Sequence, residues 1–170
     1  NYTSATHTFI IIPLQLMYFY YPNKSLFNFN KLFSMHYFIN DTQNILSRIN
    51  NFNAMDLFYL FHHLITIINL HPIKMNDLHS YWVIVSFFWG EVSNIPYFFV
   101  YHLLKTNGSK ERIKQIKTIQ KYHYSFIRVF IGGYCAYNYC ITQSNIYSLY
   151  FSVALYFIGI FFSYLSFIKK

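Results

Sequence analysis

Apolar residues along the chain gather into long blocks separated by short polar interruptions, without the period-2 alternation of strands. The first block is HTFIIIPLQLMYFYY, His7 to Tyr21, with Pro13 inside it. It is short for a bilayer span of about 20 residues, so a truncated or kinked helix is expected. Tyr21 to Asn30, YPNKSLFNFN, reads as a loop because Pro22 and the asparagines break the pattern. The second block, Lys31 to Ile49, is the most polar and holds Asp41, Gln43 and Asn44. The third runs from Asn53 to Leu70, where Pro72 stops it. The fourth, Leu78 to Leu104, contains a single acidic residue, Glu91, and Gly108 marks the turn after it. A basic amphipathic stretch leads into the fifth, Tyr122 to Ile141, which carries Arg128. The sixth is Asn145 to Ile168. The pattern predicts an all-α, multi-pass transmembrane helical bundle of five or six spans, with residues 1–170 forming one transmembrane domain.

Composition points the same way. The chain is 55% hydrophobic, 24% aromatic and 11% charged, where a soluble domain carries about 25% charged residues. Five acidic residues are too few to solvate a globule, whereas a lipid-facing surface needs none. The net charge of +8 does not indicate nucleic acid, because the bases lie between apolar blocks. The longest basic run is KTNGSKERIKQIKTIQKYH, Lys105 to His123. By the positive-inside rule this loop and the C-terminal Lys169 and Lys170 share the cytosolic or matrix side, opposite Lys74. Integral placement in the mitochondrial inner membrane or the endoplasmic reticulum follows as the expectation. Cys135 and Cys140, five apart in one block, point in different directions on a helix and suggest neither a disulfide nor a metal pair.

The candidate chemistry lies in the polar residues within these blocks. A charge at membrane depth costs about 2.5–3.5 kcal/mol by insertion scales, so Asp41, Glu91 and Arg128 should face the bundle interior. An ion pair between Glu91 and Arg128 is the simplest arrangement. His62 and His63 sit side by side in LFYLFHHLITIINL. On a helix they point about 100° apart, so at least one faces inward. Asp56 lies two turns before His63 and shares its face. No HxxxH or HExxH spacing is present, so no metal and no cofactor is expected. Asp41, His62, His63, Glu91 and Arg128 are expected to converge on one polar cluster that fixes the register of otherwise apolar helices.

Four stretches together resemble the TLC-domain family of membrane proteins over about residues 31–140. SMHYFINDTQNIL (Ser34 to Leu46) is similar to its Tyr-Phe-x-x-Asp helix, and MDLFYLFHHLITI (Met55 to Ile67) to its Asp…His-His helix. WGEVSNIPYFF (Trp89 to Phe99) is similar to a Glu-x-Ser-Thr-Pro-Phe segment, and YSFIRVFIGGY (Tyr124 to Tyr134) to a Phe-x-x-Arg helix. The family is multi-pass and helical. It includes ceramide synthases and members connected with lipid composition, sensing or trafficking.

The span that follows the histidine pair carries Glu91 where the synthases carry aspartates, so the resemblance is to the second group. Ile95 is an extra residue before Pro96, and the arginine expected after that proline is missing. The resemblance implies lipid binding and handling, or membrane-lipid homeostasis, without ceramide synthase activity. Arg128 would then meet an anionic phospholipid head group, since guanidinium matches phosphate geometry. Two other readings stand beside it. One is a structural accessory subunit contacting other subunits of a large membrane complex. The other, a lipid acyltransferase, ranks last for want of the aspartates.

Overall fold

The computed structural model describes residues 2–47, 53–142 and 146–168. They are helical throughout, with no strand among them. The helices are α1 (Tyr2–Tyr20), α2 (Lys24–Leu46), α3 (Ala54–Leu70), α4 (Leu78–Lys105), α5 (Lys110–Ser125), α6 (Gly132–Thr142) and α7 (Ile146–Ile168). A π-helical turn, Phe126–Ile131, joins α5 to α6, so the two form one continuous rod.

Local capping sets several boundaries. Asn23 accepts a hydrogen bond from the Leu26 amide (2.8 Å) and starts α2. Lys24 to Asn30, expected as loop, is therefore the first two turns of that helix, because one side-chain oxygen satisfies an otherwise orphaned amide. Asn53 and Asp56 form a capping box at the start of α3, with the Asn53 amide donating to Asp56 Oδ2 at 3.1 Å. Ser109 caps α5 by accepting from the Arg112 amide. In the turn before it Asn107 is left-handed, with φ 53°. A Cβ on Gly108 would meet Leu103 Cδ2 at 2.8 Å, which makes glycine the residue that fits there. The first helix is longer than expected. It runs 19 residues through Pro13, because the chain before His7 also takes part. Ile49, Asn145, Lys169 and Lys170 lie outside the described residues.

The rods pack as a closed ring in the order α1, α2, α3, α7, α5–α6, α4 and back to α1. Side-chain pairs show that ring neighbours are antiparallel. Ser4 meets Tyr37 while Tyr18 meets Phe27. Tyr59 meets Phe162 while Asn69 meets Ser152. Thr8 meets Glu91 while Phe19 meets Tyr81. Arg128 meets Ser93 while Trp82 meets Tyr134. Lys105 and the bases of α5 thus lie at one end of the ring. Lys24, Lys31 and Lys74 lie at the other, where Lys31 Nζ donates to the carbonyls of His71 (2.5 Å) and Ile73 (3.2 Å).

Burial runs against the habit of a water-soluble fold. Among the described residues, buried hydrophobic side chains number 15, buried polar ones 12, and exposed large hydrophobic ones 36. A soluble monomer keeps its exposed apolar patches small, so this outer face needs an apolar environment or a partner. Among the described residues two helices are long and apolar enough to cross a bilayer: α4, and α7 over Leu149–Ile168. That is fewer than the five or six expected. The apolar part of α3 is too short by itself, and α1 and α2 have the length but too little apolarity.

Candidate functional site

A ring of six rods leaves space at its axis. A cavity of about 620 Å3 lies there, with side chains from every rod in its wall. That volume falls within the usual range for small-molecule sites. Along α3 the cavity extends from Asp56 to Leu70, about 21 Å at 1.5 Å per residue. The wall includes all six residues singled out in the sequence: Asp41, Asp56, His62, His63, Glu91 and Arg128.

Helical phase decides how they are used. On α4, Gly90, Ser93 and Asn94 share a face at i, i+3 and i+4. That face looks toward the π turn, and Arg128 binds it. Arg128 Nε donates to Ser93 Oγ (2.9 Å), and Nη2 donates to the Gly90 carbonyl (3.1 Å) and Asn94 Oδ1 (3.5 Å). The guanidinium lies over the Tyr124 ring, 5.1 Å from its centroid. Two glycines lie against it at ordinary contact distance. A Cβ on Gly90 would sit 3.7 Å from Arg128 Nη1, and one on Gly159 would sit 3.6 Å from Arg128 Cδ.

Glu91 is turned about 100° from Gly90 and looks toward α1. Its Oε2 accepts from Thr8 Oγ1. Its Oε1 is 3.6 Å from His7 Nδ1. No direct Glu91–Arg128 salt bridge forms among the described residues: the two groups take different partners, with Asn94 contacting both and Glu91 within electrostatic reach of Arg128. His7 lies flat against Tyr37, with ring centroids 4.0 Å apart, and Tyr37 OH donates to Ser4 Oγ (2.9 Å).

The histidine pair divides its work as the 100° offset requires. His63 is 4% exposed, and its Nε2 lies 3.6 Å from Asp41 Oδ2. At that separation the contact is electrostatic rather than a hydrogen bond. His62 lines the cavity beside it, the two rings 5.7 Å apart. Phe38 packs against both rings. Asp56 combines a place in the cavity wall with its role in capping α3.

Sequence reasoning passed over several partners. His7 and Thr8 open the first apolar block, and a polar pair ahead of such a block is the signal that was there. Ser93 and Asn94 stand in the same quoted segment as Glu91, at helical spacing from Gly90. Tyr59, Tyr97 and Tyr124, which also line the cavity, are hidden by the abundance of tyrosine, 18 in all. Among the described residues no group of three or more His, Cys, Asp or Glu is placed to hold a metal ion. No family model, curated protein or solved structure matches the chain.

Proposed function

We propose that this is an integral membrane protein whose ring of helices holds a lipid at its axis, in a lipid-binding or lipid-homeostasis role. The observation that carries the reading is the inverted distribution of side chains. The outer face is apolar, while an arginine, three carboxylates and two histidines meet a cavity lined by all six rods. In lipid, apolar helices gain little from hydrophobic contact with one another, and small and polar residues hold them together. In this reading all six rods cross the bilayer. Helices α4 and α7 are able to insert by themselves, and the others turn their polar faces to the axis. The TLC-like stretches fall on α2, α3, α4 and the π turn, and each supplies a residue to the cavity wall, which supports the same assignment.

Arg128 offers a pre-oriented guanidinium. Its bonds to the protein use Nε and Nη2, leaving the Nη1 donors for a phosphate oxygen of the lipid. Native mass spectrometry of the detergent-purified chain tests this. The wild type should retain one phospholipid per chain, and Arg128→Gln should lose it. Equal retention by both proteins sinks the assignment. Single cysteines at Lys74 and Lys114 should label from opposite sides of the membrane. Labelling from one side removes the six-crossing arrangement. Assays with a sphingoid base and an acyl-CoA should yield no N-acylated product, since the cavity wall presents Glu91 where the synthases present aspartates.

A further inference from the structure

Two opposite charges face this cavity without neutralising each other. The hydrogen bonds of Arg128 go to a hydroxyl, a carbonyl and an amide oxygen, none of them charged, and Glu91, within its electrostatic reach, is turned to Thr8 instead. Asp41 has as its ion-pair partner among the described residues an imidazole, His63. The side chains belong to different rods, α2 and the π turn, and each has its own anchor. His62 and His63 stand between them. His63 reaches Asp41, and His62 lies within reach of the Arg128 charge. His63 is 96% buried by its 4% exposure, lines the cavity and has an Nδ1 without a hydrogen-bond partner. Around the acidic pole the wall is aromatic. Tyr37 and Tyr59 line the cavity and lie within electrostatic reach of Asp41.

Resting on the lipid-binding reading above, we propose that the cavity selects a choline phospholipid, with the phosphate at Arg128 and the trimethylammonium between Asp41 and the tyrosine rings. An anionic head group would satisfy Arg128 but bring negative charge toward Asp41. A dipolar head group satisfies both poles at once. Aromatic walls beside a carboxylate favour a quaternary ammonium, which has no N–H to donate and is bound by ring faces. A primary ammonium keeps three donors that rings do not satisfy.

The test uses the full chain in detergent, titrated with dioleoyl phosphatidylcholine, phosphatidylethanolamine or phosphatidylglycerol and read by native mass spectrometry. Phosphatidylcholine should bind about tenfold more tightly than phosphatidylglycerol, the factor that a 1.4 kcal/mol difference gives, with phosphatidylethanolamine between them. Asp41→Asn should level the three affinities without abolishing any. Wild-type binding of phosphatidylglycerol at least as tight as that of phosphatidylcholine overturns the ammonium site and leaves the lipid-binding reading standing. Failure of all three lipids to bind overturns that reading itself. The wild-type ranking needs no variant, so the proposal remains testable if Asp41→Asn does not fold.

Discussion

The molecule contains two histidine–carboxylate pairs, and they are built for different ends. Glu91 and His7 sit between α1 and α4, their side chains 7% and 3% exposed. A threonine hydroxyl completes the carboxylate and a tyrosine ring covers the imidazole. Asp41 and His63 sit between α2 and α3 at the same 3.6 Å separation, but Asp41 is 15% exposed and, among the described residues, no hydroxyl closes the pair. The first pair is a clamp that ties the first helix to the rest of the ring. The second leaves its carboxylate open to the axis. A histidine and a carboxylate at the same distance thus give a closed fastening in one place and a carboxylate open to the cavity in the other, and the neighbours make the difference.

That contrast is most sharply tested by deleting each carboxylate. Glu91→Ala leaves Thr8 buried without its acceptor and His7 without its neighbouring carboxylate. It should destabilise the detergent-solubilised protein by about 3 kcal/mol, the upper end for orphaned buried polar groups. The thermal midpoint should fall on the order of 6–12 °C for a chain of this size. Asp41→Ala should cost no more than about 1 kcal/mol, in the range measured for single polar contacts between membrane helices. Equal losses from the two substitutions would erase the distinction. Thr8→Val should lower stability by about 1–2 kcal/mol with lipid binding unchanged. A loss of lipid without a loss of stability would move Thr8 from the clamp to the binding surface. Ser93→Ala should cost about 1 kcal/mol, less than Glu91→Ala, because Arg128 keeps its bonds to Gly90 and Asn94. Tyr37→Phe, which removes only the bond to Ser4, should have the smallest effect, about 0.5–1 kcal/mol in the same midpoint measurement.

Much of this arrangement is legible in the pattern of residues. The apolar blocks predict five or six helical spans, and six rods are found; Pro72 and Gly108 mark two of the connections, and Asp41, Glu91 and Arg128 reach the inner cavity, as the cost of charge in apolar surroundings leads one to expect. Convergence of those residues on one cavity follows from the same cost. Pairing within the cavity is not legible, because the sign of a charge says that a partner is needed and not which one. Glu91 and Arg128 are complementary, yet the 100° between Gly90 and Glu91 sends one toward α1 and leaves the other Gly90, Ser93 and Asn94. His7 escaped notice because its block is short and interrupted by Pro13. The start of α2 is hidden because Asn23 signals equally a turn and a helix cap. The union of α5 and α6 is hidden too, since a change from basic to apolar composition at Tyr122 looks like a boundary although the backbone passes straight through it.

The π turn that makes this passage acts as a phase adjuster. Helix α5 must hold Lys110, Arg112, Lys114 and Lys117 outward at the end of the ring. Helix α6 must bury Cys135 and Tyr139. An unbroken α-helix would lock these two demands to a single 100° step per residue. The wider turn at Phe126–Ile131 carries Arg128 and decouples them. Deleting one residue there would let the rod close into regular α geometry. It would rotate the basic half against the buried half by about 100°. The reading frame of the bundle is thus kept by one irregular turn, and a length change tolerated in the 106–109 connection would be disabling at this point.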